Sequence, residues 1–267
     1  MKKAFSTLLC LDYDFEQILA LAKSADMDGV ELRMDNKRCD ETTDAELWGQ
    51  RFRDAGITIT DIAASIFFTK YDVEVIHNAH RYIDLAAELG AKGVRVFAGE
   101  SPKTRTDDFF SDWDGVIRSL QELCDYAAER NVEIWLETHS EFSTGKICAK
   151  AVADAGRPNL KVIWDVIHSL EYHESLEDSA RYLKDCLAHI HLKDGRPQED
   201  PDIYQYLHTD LGAGTMPWKE VGNVVREIGY EGYYSLEWES PWRPEIRDLY
   251  PDPLVLLQKY NDIMNSI

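Results

Sequence analysis

The feature that most constrains this chain is a beat repeated eight times. A short β-branched or aliphatic run is followed by a longer, charged segment with helical periodicity. Strands are predicted at about 4–9, GVELR (29–33), ITITDIA (57–63), GVRVFA (93–98), VEIWLE (132–137), LKVIWD (160–165), LAHIHL (187–192) and GYYSLEW (232–238). Helices are predicted over 15–24, around Trp48 and Phe52, over 73–89, 113–130, about 145–155, 175–185, from Pro217 to Ile228, and over 253–265. Gly90 suits a helix C-cap and Pro217 a first helical position. Strand–helix alternation implies parallel pairing with right-handed crossovers. VEIWLE and LKVIWD are almost wholly apolar until their last residue, as strands covered on both faces should be. Eight units in 267 residues give about 33 residues each, the size of one strand–helix unit. A closed (β/α)8 barrel of class α/β fits best, with an open doubly wound sheet as the alternative. No linker rich in Pro, Gly or Ser interrupts the beat, so residues 1–267 are expected to form one domain.

Charge narrows the function. There are 29 Lys and Arg against 49 Asp and Glu, a net charge of −20. Such a surface repels phosphate backbones and anionic lipid headgroups, which argues against nucleic-acid and membrane partners. The hydrophobic fraction of 44% is that of a packed domain, not of an acidic disordered chain. No run approaches the ~18 consecutive apolar residues of a membrane span. The N-terminal MKKAFSTLLCLDYD is broken by Ser6 and Thr7 and reads as a first strand, not a signal peptide. Five widely spaced cysteines without a CxxC pair speak against a disulfide framework or a thiolate zinc site, and fit a reducing cytoplasm.

In such barrels the active site lies at the C-terminal ends of the strands. The fifth strand ends in Glu137, followed by Thr138 and His139. The sixth ends in Asp165, the seventh carries His189 and His191 before Lys193, and the eighth carries Glu237 and Glu239 around Trp238. Four consecutive strands thus bring a possible metal ligand to one rim. Three carboxylates and one imidazole suit a single divalent cation, Mn²⁺, Mg²⁺, Co²⁺ or Zn²⁺. Without a cation, three carboxylates could not all ionise in a dry cavity.

GVELR (29–33), GAKGVRVFAG (90–99), LETH (136–139), WDVIH (164–168), HIHLKDG (189–195) and GYEGYYSLEWE (229–239) occur in that order. On these motifs the chain resembles the sugar phosphate isomerase/epimerase superfamily, the xylose isomerase-like TIM barrels. That group holds ketose 3-epimerases, hydroxypyruvate isomerase and inosose isomerases and dehydratases. The resemblance implies metal ligands at Glu137, Asp165, His191 and Glu237, and an acid/base pair of Glu137 and Glu237. It also implies a substrate-binding His168. Arg196 lies near an arginine that ketose 3-epimerases carry after the strand-seven histidine, whereas Lys193 is typical of the wider group. The implied reaction is proton transfer next to a carbonyl through an enediolate on the metal, performed on a small sugar or keto-polyol. A dehydratase of an inosose or similar cyclic keto-polyol is the alternative, and a catalytically silent sugar-binding barrel a third reading. An abasic-site endonuclease of the same barrel type would need more metal ligands and a basic face.

His139, Lys193 and Trp238 are further candidates for substrate contact. Glu31, Arg33 and Arg95 are each as consistent with a buried ion pair as with a substrate contact. His189 is as consistent with a hydrogen-bonded core histidine as with a ligand, and Glu239 with a supporting or surface acid. His77 and His80 have ligand-like spacing but fall on a charged outer helix. Gly212-Ala213-Gly214 lacks the third glycine and preceding strand of a dinucleotide loop. The polar stretch 194–215 is long for a connection and is expected to act as a lid. A homo-oligomer is compatible with the sequence.

Overall fold

The computed structural model describes residues 1–34, 43–100, 111–198 and 205–267. Eight strands form the central sheet: β1 (Lys2–Ser6), β2 (Gly29–Arg33), β3 (Thr58–Ala63), β4 (Gly93–Ala98), β5 (Glu133–Glu137), β6 (Leu160–Asp165), β7 (Leu187–Leu192) and β8 (Tyr233–Leu236). The spatial order is β3-β2-β1-β8-β7-β6-β5-β4, and a β3–β4 pairing closes the ring. Every pairing around it is parallel. The closing seam is thin, with only Asp61 opposite Gly93 and Ile62 opposite Val94. A two-residue strand, Phe67–Phe68, extends it beside Phe97 and Ala98.

The helices are α1 (Phe15–Ser24), α2 (Ala45–Asp54), α3 (Val73–Leu89), α4 (Trp113–Ala128), α5 (Gly145–Ala155), α6 (Val166–Glu171), α7 (Leu176–Leu183), α8 (Trp218–Glu227) and α9 (Pro253–Met264). Most start on a side-chain oxygen that takes an otherwise orphaned N–H: Asp14, Asp44, Asp72, Asp112, Thr144, Asp165, Ser175 and Asp252. Gly90 ends α3 at φ 73°, a conformation that glycine adopts without a Cβ clash.

Several element ends differ from expectation by one to three residues. The first strand stops at Ser6, because the Ser6 side chain accepts from Leu8 N and starts a 3-10 turn over Thr7–Cys10. Pro217 lies one residue before α8, with ψ 69° taking it out of the helix. Within 194–215, Gly195–Arg196 and Leu207–His208 pair as a short antiparallel ribbon, while 199–204 fall outside the described residues. The thiols of Cys10, Cys124, Cys148 and Cys186 are buried and no two of them are bridged; Cys39 lies outside the described residues. No helix among the described residues is long and apolar enough to cross a membrane.

Alternation along the strands sorts the side chains. Val30, Leu32, Val94, Val96, Ile134, Leu136, Ile190 and Leu192 join the apolar layer under the helices. Residues of the alternate face, Glu31, Arg95, Glu137 and His191, meet one another across the ring. The barrel therefore has an apolar outer core and a polar interior, an unusual placement of charge that needs compensation.

Candidate active site

Register brings the strand ends together. Asp165 on β6 lies opposite His191 on β7, which lies opposite Ser235 on β8. Two residues beyond Ser235, Glu237 reaches the same level, and Glu137 ends β5. The loop after β5 fixes its neighbour: Thr138 Oγ1 accepts from Asp165 N at 2.8 Å. One ligand-type atom from each of Glu137, Asp165, His191 and Glu237 falls within 4.8 Å of the others, and all four residues are buried.

Built-in cations thread this cluster. Arg95 Nη1 lies 3.1 Å from Glu137 Oε2, 3.1 Å from Glu237 Oε1 and 3.9 Å from Glu31 Oε1. Lys193 Nζ lies 2.5 Å from Glu237 Oε2 and 2.7 Å from Asp165 Oδ2, and also meets Glu239, which in turn binds Arg243. Burial raises the carboxyl of Glu137, and Arg95 offsets only part of the rise, so it stands at about 8. Burial acts on Glu237 in the same sense, but Lys193 and His191 outweigh it and hold that carboxyl below the usual range. Two glutamates on one guanidinium are thus driven in opposite directions.

The cluster passes a test for a divalent ion. His191 Nδ1 is buried, has no hydrogen-bond partner among the described residues, and faces Glu137 Oε2 at 3.7 Å and Glu237 Oε2 at 3.6 Å. Three oxygens and one imidazole nitrogen suit the hard to borderline divalent metals. A nitrogen aimed between two carboxylates, able to give up its proton to an ion, is what such a site supplies.

A cavity of about 280 Å³ opens onto the cluster. Glu137 and Glu237 line it with Arg95, His139, His168 and Glu239. His168 Nδ1 donates to the Thr138 carbonyl at 2.7 Å, while His139 Nδ1 contacts Ser140 Oγ at 2.7 Å. Burial pushes both imidazoles down to about 3, so both are neutral at ordinary pH. Phe67 and Phe97 stack at 4.7 Å and flank His139. Exposed Trp242 marks the outer edge, with the Arg33 guanidinium over its ring.

Other expected contacts fall elsewhere. The indole of Trp238 is buried against Tyr250 and does not line the cavity; being next to inward-facing Glu237, it takes the opposite face. Trp242 stands at the cavity in its place. Arg196 is exposed on the short ribbon, away from the cavity lining. Lys193 is buried beneath the lining and meets carboxylates. Phe67, Phe97, Leu8, Ser65 and Arg243 line the cavity without having been singled out. Phe97 was open to inference, because it lies two residues beyond Arg95 on the same face of β4. Outside the site, His77 is exposed and His80 stacks on Tyr126 at 3.6 Å.

The described parts of 194–215 are tied down at several points. Asp194 accepts from Gly195 N and Gly212 N at 2.8 and 2.7 Å. Glu171 Oε1 accepts from Tyr206 N at 2.7 Å, and Glu245 Oε1 from His208 N at 3.2 Å.

Comparison with known proteins agrees with this architecture. The chain is similar to fructoselysine 3-epimerase of Shigella flexneri, 25% identical over 170 residues, 62% of this chain and 59% of that protein. It is also similar to 3-dehydroshikimate dehydratase of Bacillus anthracis, 26% identical over 213 residues and 74% of each chain. The crystal structure of the IOLI protein with a bound zinc atom superposes with a TM-score of 0.81 at 18% identity, covering 100% of this chain and 99% of that one. The family model of the xylose isomerase-like TIM barrel matches residues 19–259. The chain belongs to the xylose isomerase-like TIM-barrel family.

Proposed function

We propose that the protein is a divalent-metal-dependent sugar isomerase or epimerase, moving a proton on the carbon next to a carbonyl of a small polyhydroxy substrate. The observation that carries this reading is the glutamate pair. Glu137 and Glu237 share Arg95 Nη1 at 3.1 Å each, line one cavity, and have acidities pushed apart. Two carboxyl groups on one cavity can take a proton from carbon and return it as a base and its conjugate acid.

Glu137, Asp165, His191 and Glu237 would hold the ion. When bound, it would polarise the substrate carbonyl and stabilise the charge that develops on its oxygen. Glu237, held ionised by Lys193, is the group to take a proton from carbon. The proton is returned by Glu237 itself, or by Glu137, which lines the same cavity. Neutral His139 and His168 can hydrogen-bond substrate hydroxyls without adding charge. The aromatic wall of Phe67 and Phe97 excludes water from one side.

Solvent-deuterium exchange against ketoses, inososes and hydroxypyruvate tests the reading, since label enters substrate even where equilibrium hides conversion. Glu137→Gln and Glu237→Gln should each slow exchange by roughly 10²–10⁴, with the thermal melt retained. Near-normal exchange in either variant with metal bound would remove that residue from the mechanism.

A second reading is dehydration, in which the same proton abstraction is followed by loss of a β-hydroxyl. The match to a 3-dehydroshikimate dehydratase covers 74% of both chains, more than the epimerase match. A product with new ultraviolet absorbance would select it.

A further inference from the structure

The two ring nitrogens of His191 have different surroundings. Nδ1 faces the carboxylates of the cluster. Nε2 points to the opposite side and lies 2.6 Å from Glu31 Oε2, in a region where both residues are 0% exposed. That separation is a short charge-assisted hydrogen bond. It is too short for two ligands of one ion, because atoms bound to a tetrahedral cation at about 2.0–2.2 Å sit more than about 3 Å apart. Glu31 and His191 are therefore donor and acceptor, not the two sides of a second metal site.

Glu31 is out of place as a packing residue. It sits mid-strand on β2, fully buried, and is not among the residues lining the cavity. A carboxylate there is tolerable only with partners, and His191 supplies the nearest. His189 Nε2 is farther, at 3.5 Å, and Arg95 Nη1 at 3.9 Å. Since a carboxylate only accepts, the proton of the pair belongs to Nε2.

We propose that Glu31 is a positioning residue for the metal centre: by accepting the Nε2–H of His191, it fixes that tautomer and presents Nδ1 as the ligand atom. Carboxylates that hold a ligating histidine in this way commonly govern metal affinity. The inference rests on the reading that the cluster holds a divalent ion.

The test titrates chelator-treated full-length protein with Mn²⁺ by calorimetry. Wild type should take up one ion per chain, and Glu31→Gln, which keeps the shape but removes the charge, should bind roughly 10–100-fold more weakly. Asp61→Asn, a change on the neighbouring strand β3 opposite Glu31, serves as the control and should leave the affinity unchanged. In Zn²⁺-loaded wild type with isotope-labelled histidine, NMR should place the His191 proton on Nε2 and the metal on Nδ1. Unchanged affinity in Glu31→Gln, an equal loss in Asp61→Asn, or metal on Nε2 overturns the proposal. If Glu31→Gln does not fold, the NMR result on wild type decides. If wild type binds no ion, the metal reading falls together with this one.

Discussion

Lys193 offers a sharp test of how the cluster is held together. Its ammonium is 1% exposed and lies against Asp165, Glu237 and Glu239. Lys193→Met keeps most of the side chain and removes the charged end. Breaking a buried ion pair by deleting one partner costs about 3–5 kcal/mol, because the remaining charge is left uncompensated. With unfolding entropy near ~2.1 cal/mol/K per residue, 267 residues give about 0.56 kcal/mol/K, so Tm should drop by roughly 5–9 °C. The loss should depend on pH. Lys193 helps hold Glu237 and Glu239 below the ordinary carboxylate range. Such groups contribute stability above their unfolded acidity of about 4.5 and lose it as pH falls through the folded value. The deficit of the variant should therefore be full near pH ~8 and shrink below pH ~4.5, where protonation makes the lost cation irrelevant. Denaturant and thermal melts of chelator-treated protein across that range measure it. A variant that melts with wild type near neutrality, or a deficit that does not change with pH, would show that Lys193 does not compensate these carboxylates.

Two further outcomes are expected. Mn²⁺ or Zn²⁺ at a hundred times its Kd should stabilise the protein by about 2.7 kcal/mol, raising Tm by roughly 5 °C; the rise should vanish on chelation and be absent from Asp165→Ala. Gly93→Ala should lower Tm by about 2–5 °C, equivalent to ~1–3 kcal/mol of overpacking. The added Cβ would lie 2.5 Å from the Trp135 indole, which stacks on His189 below the cluster; a wild-type melt would contradict this.

The barrel and the cluster were legible because both are set by local rules. Strand periodicity marks which residues end each strand, and parallel closure brings those ends to one rim. That inference places Glu137 and Asp165 on the rim with a histidine and a glutamate from the next two strands, and the motif resemblance singles out His191 and Glu237 among them. The compensating residues were not legible in the same way. Arg95 and Glu31 are charged residues in the middle of strands, and sequence alone leaves each open to ion-pair or substrate roles. Their partners lie far along the chain, Glu31 meeting His191 across 160 residues and Arg95 meeting Glu237 across 142. Only the closed ring puts them in contact. The placement of Trp238 was partly accessible. A residue adjacent to inward-facing Glu237 must face outward, so parity alone excluded Trp238. The position of Trp242 depends on the loop after β8, which carries no periodic signal.

The charges around the site close only when two more positive charges are supplied. Glu31, Glu137, Asp165, Glu237 and Glu239 meet three permanent cations, Arg95, Lys193 and Arg243. Asp61 does not add to the excess, because burial and the charge of Glu31 push its carboxyl well above the ordinary range. Five carboxylates against three cations leave two negative charges. In the ion-free protein, protons make up the difference. Burial disfavours charge on His191, but Glu31 and Glu237 overcome it and raise the imidazole to about 10, while burial raises Glu137 to about 8. A divalent ion on the same residues supplies the same two charges, so its uptake should release about two protons near pH ~7. Calorimetry of Mn²⁺ binding in buffers of different ionisation heat counts them. The count should fall towards one as pH rises through about 8, where Glu137 ionises without help, and the observed affinity should rise with pH throughout, at about half the slope above that point, until His191 gives up its proton at about 10. Metal uptake with no proton release near neutrality would mean that these two groups do not substitute for the ion, and the charge balance would need another source.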